Sequence, residues 1–320
     1  MSRSAMDDVD LGLVQALRVD GRAQFRTIAE VLEVSENTVA RRYRRLRAEA
    51  GLRVIGSLDS TRLGRVQWTI RLSCTPDAAG AVAKALAARE DTHYVHLLSA
   101  GTEVSCTVST GGVDEQALLL HKLPRTSRIV AMSAHLLLST FRVPDTGPEP
   151  TVLTDEQIAV LRPDPIDIDV AAPPLHDGDR AMLRALNRDG RAPYAELAAA
   201  TGWSESTVRR RLELLRRTGI LRIGLDIPAA ALGFGVEARL WMRVEPGAAV
   251  AVGSALAAHR EISFAALTTG ATNLVAAVVC RDTVDLSRYL TERLPELSGI
   301  IALETAPVIR TVKRAGTPQL

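Results

Sequence analysis

Cysteine is scarce. The 320-residue chain carries three, Cys74, Cys106 and Cys280, far apart and each inside an alternating apolar segment. No CxxC spacing occurs, so neither a disulfide framework nor a zinc ribbon is written here, and small buried strand residues are expected. Nowhere is there a run approaching the roughly 20 apolar residues that cross a bilayer, so no membrane partner is expected. The opening "MSRSAMDDVD" lacks the apolar core of a secretory leader, which predicts a cytoplasmic location. Also missing are a nucleophile elbow and a glycine-rich phosphate loop. His93 and His96 lie three apart in a predicted strand, on opposite faces, and do not share an ion. No metal site, cofactor or catalytic residue is assigned, and the chain reads as a non-enzyme.

Charge of one sign is not in excess either. A net charge of +2, with 47% hydrophobic and 24% charged residues, is ordinary for a globular protein and announces no polyanionic partner. Its distribution says more. Nearly all the positive charge is arginine, and it clusters in two short segments.

Those segments belong to a duplication. "DLGLVQALRVDGRAQFRTIAEVLEVSENTVARRYRRLR" from Asp10 aligns without gaps on "DRAMLRALNRDGRAPYAELAAATGWSESTVRRRLELLR" from Asp179, with roughly two positions in five identical. Similarity continues through "LRVIGSLDSTRLG" and "ILRIGLDIPAAALG". Between the copies lies an acidic stretch holding seven of the 15 prolines (Pro144, Pro148, Pro150, Pro163, Pro165, Pro173, Pro174). It reads as an extended connector with one short helix near Thr154–Leu161.

Each copy opens helical. Leu13, Val14 and Leu17 line a first helix, as Met182, Leu183 and Leu186 do in the second copy. "DGRA" supplies a turn at Asp20–Ala23 and Asp189–Ala192. A short second helix follows, and Val34 or Trp203 sits in the next turn. Ser35 and Ser204 are predicted N-caps of a third helix, with Glu36 and Glu205 at its positive dipole end. Val39, Tyr43 and Leu46, or Val208, Leu212 and Leu215, form its buried stripe.

The period then becomes two. Val66–Cys74 and Val236–Val244 alternate as half-buried strands. Each is followed by Pro and an Ala-rich helix (Pro76–Ala88; Pro246–Ala258), two strands (Thr92–Leu98 and Val104–Ser109; Ile262–Thr268 and Leu274–Cys280), a helix (Asp114–Lys122; Leu286–Leu294) and a last strand (Ile129–Leu138; Ile300–Ile309). β-α-β-β-α-β is a ferredoxin-like order, an antiparallel sheet with helices on one face. The other face needs a cover, and an intrachain pseudo-dimer is expected to supply it.

Two short helices, a tight turn and a cationic third helix describe a helix-turn-helix, whose third helix enters the major groove. Candidate DNA-contacting residues are Glu36, Asn37, Thr38, Arg41, Arg42 and Arg45, with Glu205, Ser206, Thr207, Arg209, Arg210 and Arg211 in the second copy. Arg22 and Arg191 of the "DGR" turns are candidate phosphate contacts.

At this level the chain resembles the Lrp/AsnC family of transcription regulators over almost all of both halves, the connector excepted. The resemblance implies an α+β protein with internal duplication. It would comprise a winged helix-turn-helix at 7–62, a ferredoxin-like (ACT/RAM-like) effector and oligomerisation domain at 63–142, a connector at 143–176, a second winged helix-turn-helix at 177–231 and a second ferredoxin-like domain at 232–316. The implied partners are double-stranded DNA and an amino-acid or other small-metabolite effector, with further homo-oligomers left open. The family's effector lies near a glycine turn between the second and third strands of the sensing domain. Carried over, that turn is Gly270, Ala271, Thr272 and Asn273 in copy two and Gly101, Thr102 and Glu103 in copy one, where the family's Asp position falls on Val104. The alternative is a small-molecule-sensing assembly protein whose helix-turn-helix units contact protein or RNA.

Overall fold

A computed structural model describes residues 6–75, 77–111, 128–142, 152–163, 165–167, 170, 172–314 and 317–318. The first half runs α1 (Asp8–Val19), α2 (Phe25–Val31), α3 (Glu36–Glu49), β1 (Arg53–Leu58), β2 (Val66–Cys74), α4 (Ala79–Ala87), β3 (Thr92–Leu98), β4 (Glu103–Thr110) and β5 (Ile129–Arg142). After α5 (Asp155–Leu161) the order repeats as α6 (Asp177–Arg188), α7 (Tyr194–Thr201), α8 (Glu205–Arg217), β6 (Leu221–Asp226), β7 (Val236–Val244), α9 (Ala249–Ala258), β8 (Ile262–Thr268), β9 (Leu274–Cys280), α10 (Thr283–Arg288) and β10 (Ile300–Arg314), with the short β11 (Thr317–Pro318) last. The helix expected at Asp114–Lys122 lies outside the described residues.

The chain folds as two compact units, each built from both copies. One joins the residues up to Leu63 with Glu149–Leu232; the other joins Gly64–Pro148 with Gly233–Leu320.

In the first unit each copy is a three-helix head. Asp7 caps α1 through a reciprocal box with Asp10, and the Ser35 and Ser204 side chains accept from Thr38 N and Thr207 N, as their positions predicted. Leu13, Leu17, Ile28 and Val39 are sealed in the first core, and Met182, Leu186, Leu197, Val208 and Leu215 in the second. Complete burial of each such side chain is worth roughly 1.5–3 kcal/mol. The cores are repacked between copies. The Trp203 ring lies where any side chain at Gly178 would stand, a Cβ there falling 2.1 Å from it; the first copy has Val34 and Val9 at the equivalent positions.

The strands after the third helices do not fold back as separate wings. β1 pairs antiparallel with β6, Arg53 opposite Asp226 through Leu58 opposite Leu221, so one ribbon is shared by both heads. Part of the connector is not a free linker. Leu153 and Leu161 are buried in the first head, Gln15 Oε1 accepts from Val152 N and Leu153 N at 2.9 and 2.8 Å, and Gln157 Nε2 donates to Val31 O at 2.7 Å. α5 is thus a fourth helix of head one.

The second unit is a closed circuit of eight antiparallel strands, four from each copy. Within a copy the order is fourth–first–third–second strand, as β5-β2-β4-β3 and β10-β7-β9-β8. The copies join where each long fourth strand leaves its own sheet. β5 pairs with β2 up to Leu136 and with β8 from Leu137 on. β10 pairs with β7 up to Pro307 and with β3 from Val308 on. Helix-facing residues such as Ile70, Leu72, Val104 and Cys106, or Leu240, Met242, Ala276 and Cys280, fill one core per copy. Leu98, Trp241, Phe264, Ala266, Val275, Ala277 and Ala306 fill a fifth core on the opposite face, drawn from both copies. That is the expected intrachain pseudo-dimer.

Candidate nucleic-acid interface

On α3 and α8 the apolar stripe faces inward and sorts the arginines by angle around the helix. Glu36, Asn37, Arg41 and Arg44 of α3, and Glu205, Ser206, Arg209, Arg210 and Arg217 of α8, are exposed; Thr38 and Thr207 are half-buried beside their N-cap serines. Arg209 stacks on Tyr194 with its guanidinium carbon 4.8 Å from the ring centroid. Arg41 and Arg210 hold the same helical position, and neither has an ion-pair partner among the described residues. Both are available to a groove.

Three candidate readers are not available in this way, and the sequence expectation is corrected for them. Arg42 binds Asp7 at 2.7 Å and Asp10 at 3.2 Å, and Arg45 also bonds Asp10, whose side chain is only 1% exposed. Arg211 grips both oxygens of the fully buried Asp179, Nε at 2.6 Å and Nη2 at 2.8 Å. These arginines flank the stripe and neutralise a carboxylate buried in the first helix, which would otherwise cost several kcal/mol. The signal lay in Asp10 and Asp179 themselves, acids on an apolar helix face in both copies.

Arg22 and Arg191 are corrected more strongly, because they are aimed at protein. Arg22 Nη1 donates to Gly190 O at 2.8 Å and Ala192 O at 3.2 Å, beneath the Tyr194 ring. Arg191 Nη1 donates to Gly21 O at 2.7 Å and Ala23 O at 3.0 Å, against the Phe25 and Tyr43 rings. Desolvation by burial lowers the pKa of both guanidiniums. Each turn's aspartate also reaches the opposite head, Arg47 Nη1 meeting Asp189 at 3.2 Å and Arg216 Nη2 meeting Asp20 at 2.8 Å.

The two heads present unlike surfaces. Arg44 and Arg45 of α3 are replaced by Glu213 and Leu214 on α8. A groove of about 650 Å³ runs along α8 there, lined by His176, Trp203, Thr207, Arg210, Leu214 and Arg217 among others.

In the second unit the candidate effector turns are brought to equivalent strand ends, and strand pairing fixes their correspondence. Leu72 opposes Val104 and Met242 opposes Leu274, so Glu103, not Val104, is the counterpart of Asn273. Alignment on the glycines misplaced the turn by one residue. Gly270 (φ 104°) matches Ala100, itself at φ 58°, and a Cβ on Gly270 would fall 2.2 Å from His135. The polar side chains at these turns have internal work. Asn273 accepts from Val244 N at 2.8 Å and donates to Val244 O at 2.9 Å. Glu103 holds Arg71, which also bonds Glu304 at 2.5 Å and stacks on Trp241 at 4.3 Å. The Glu304 bond, with Glu103, raises the Arg71 pKa against its burial. Thr102 Oγ1 donates to Ser99 O, and Thr272 O accepts from Thr268 Oγ1. The His135 ring stands against the Gly270 turn, with Ala271 exposed there and Gly101 half-buried at the other.

His93 and His96 have separate surroundings. Burial, then Lys313 and Arg65, bring the His93 pKa down to about 4. His96 is buried against Arg239 Nη2 at 2.5 Å and Thr311 Oγ1 at 3.2 Å, and desolvation holds it well below the usual range. Among the described residues no cluster of three or more His, Cys, Asp or Glu side chains could hold a metal, and no helix is long and apolar enough to cross a membrane.

Comparison with known proteins separates the copies in the same way. The family model of the AsnC-type helix-turn-helix domain matches residues 6–47 and again 175–216. That of the Lrp/AsnC ligand binding domain matches residues 237–318. An uncharacterized HTH-type transcriptional regulator of Pyrococcus abyssi is 34% identical over 144 residues, 44% of this chain and 90% of the relative. The chain belongs to the Lrp/AsnC family. The HTH-type transcriptional regulator AldR of Mycolicibacterium smegmatis is 30% identical over 151 residues, 46% of this chain and 88% of AldR. Both relatives are about half as long, so this Lrp/AsnC chain carries twice what they align to once. The solved structure of the siroheme decarboxylase NirDL matches it end to end, covering 98% of this chain and 94% of that one, with a TM-score of 0.64 at 14% identity. At that identity the likeness concerns the fold of the tandem arrangement.

Proposed function

We propose that this Lrp/AsnC chain is a cytoplasmic, sequence-specific double-stranded-DNA-binding transcriptional regulator that uses two unlike reading heads. The observation that carries the reading is the pair of serine-capped helices with Arg41 and Arg210 exposed at one shared position and without an ion-pair partner among the described residues. An arginine fork at the start of such a helix meets guanine O6 and N7, and its neighbours meet phosphates. An amino acid or other small metabolite acts on the second unit through the backbone of the Gly270–Asn273 and Gly101–Glu103 turns. The reading includes no catalysis. Protein or RNA contact by the heads is the alternative, and a gel shift on duplex against RNA of the same sequence separates the two.

Because α3 and α8 differ at Asn37/Ser206, Ala40/Arg209, Arg44/Glu213 and Arg45/Leu214, the operator is expected to be an imperfect palindrome. Its half-sites should lie about one helical turn, or a multiple of it, apart. Selection of bound duplexes from a random pool, followed by sequencing, reads this directly. A perfectly symmetric consensus would count against distinct readers, and recovery of no consensus would count against DNA reading altogether.

A second reading has one observation in its favour. The tandem fold is shared with a siroheme decarboxylase, and the sheet circuit buries a guanidinium, Arg239, beside His96, with its Nε unbonded among the described residues. A buried cation of that kind would suit a substrate carboxylate. Incubation with siroheme, followed spectroscopically and by mass, tests it. Loss of carbon dioxide from the tetrapyrrole would establish an enzyme.

A further inference from the structure

The two "DGRA" turns survive in both copies although most of the surrounding residues have changed, and their arginines are engaged with protein. Each turn is ordered by its own aspartate, Asp20 Oδ1 accepting from Arg22 N at 2.9 Å and Asp189 Oδ1 from Arg191 N at 2.8 Å. Each then sends its arginine across to two carbonyls of the other turn. The glycines make the approach close enough. A Cβ on Gly21 would fall 2.9 Å from Ile223 O, and one on Gly190 3.0 Å from the Ile55 backbone. The aspartates complete the reciprocity by holding Arg216 and Arg47, which stand in the last turns of α8 and α3.

From this reciprocal geometry we infer that the paired Asp-Gly-Arg turns are a clasp that fixes the separation of the two reading helices, and with it the half-site spacing the chain accepts. The clause about spacing rests on the DNA-reading proposal; the clause about separation does not. Beside the clasp the heads are joined by the β1–β6 ribbon, by Leu225 and Ile227 packed in the first core, and by Arg62 on Thr218 O; these contacts lie along the ribbon, and a two-stranded ribbon twists readily. The lever is long. α3 has 14 residues, about 21 Å at 1.5 Å per residue. A slack of about 10° at its clasped end moves the base-reading end by roughly 4 Å, about one base-pair step of 3.4 Å. A guanidinium suits the task because, while its Nη1 serves both carbonyls, its flat face lies over the Tyr194 ring from Arg22 and the Phe25 ring from Arg191, which an ammonium on a flexible stem does not reproduce. Arg22 and Arg191 are therefore positioning residues, acting on DNA only through α3 and α8.

The test uses the full chain with nitroxide labels at Ala48→Cys and Glu213→Cys, both exposed, the three native thiols being buried. Intact protein should give one narrow distance distribution. Arg22→Gln with Arg191→Gln should broaden it at least twofold. On duplexes whose half-sites are moved apart one base pair at a time, intact protein should prefer one spacing at least tenfold. The double variant should prefer it less than threefold while binding an isolated half-site within threefold of the intact chain. Arg22→Lys with Arg191→Lys keeps the charge without the flat face that lies on the Tyr194 and Phe25 rings and should behave like the glutamine pair; it carries the test if the latter fails to fold. Unchanged distance width in a folded variant overturns the clasp. If no duplex is bound by any form, the DNA-reading proposal fails, and the label distances still decide the clasp.

Discussion

Asp179→Ala is expected to destabilise the head unit by about 3–5 kcal/mol, the usual cost of removing one partner from a buried ion pair. The carboxylate is fully buried, receives two guanidinium nitrogens of Arg211, and accepts from His176 N at 2.8 Å. Alanine would leave Arg211, itself 16% exposed, with only Pro174 O as a hydrogen-bonded partner among the described residues. It would also leave the N–H of His176, the N-cap of α6, without its side-chain acceptor. Asp10→Ala is expected to cost less, because Arg42 retains Asp7 and the 35%-exposed Arg45 can turn to water. Urea unfolding of the two variants should place their midpoints in that order; equal midpoints would contradict this account of the site.

The same pair predicts an acid signature. Burial alone would raise the Asp179 pKa, but Arg211 and the His176 N–H outweigh it and hold the group below its ordinary range. A depressed folded pKa contributes stability that is fully present above the unfolded value, about 3.9, and is lost as pH falls through the folded one. The stability gap between wild type and Asp179→Ala should therefore be constant near neutrality and narrow below about pH 4. A gap that widened in acid would reverse the assignment.

How far the sequence disclosed this arrangement depended on the range of the interaction. Local periodicity was sufficient for the third helices, because Ser35 and Ser204 cap their own helix and Val39, Tyr43 and Leu46 declare its buried side. It was also sufficient for the strand order of each copy in the second unit. It failed where a side chain's partner is remote. Arg22 and Gly190 are 168 positions apart, and nothing in an exposed-looking "DGR" tells a phosphate from a carbonyl. Arg42 and Arg45 looked equivalent to Arg41 because all share a basic run; only the angle between the buried stripe and Asp10 distinguishes them. α5 was legible as a helix from Thr154 and Gln157, but its docking depended on Gln15, a buried amide that no pattern marks. At the candidate effector turns the two glycines invited alignment, yet backbone conformation follows strand register, and Ala100 adopts the positive φ that Gly270 does.

Arg41→Ala combined with Arg210→Ala should give the largest loss of DNA affinity with the smallest loss of fold. Each guanidinium is exposed and unpaired among the described residues, so removal strands no buried partner, and thermal midpoints should stay close to wild type. A base-reading fork is worth about 1–3 kcal/mol, and two at separate half-sites should nearly add, for a loss of about 30-fold or more. If either arginine instead grips phosphate, the loss spreads over all sequences and the slope of log K against log salt falls by roughly one per residue removed. Arg42→Ala is the necessary contrast, since its guanidinium already serves Asp7 and Asp10. That variant should lose stability while keeping the wild-type salt slope. Anisotropy titrations at three salt concentrations, alongside melting curves, distinguish these outcomes. A folded Arg41→Ala, Arg210→Ala protein that binds its selected operator with wild-type affinity and slope would place the reading surface elsewhere on the heads, because among the described residues no other pair of exposed arginines shares both helical position and freedom from ion-pair partners in the two copies.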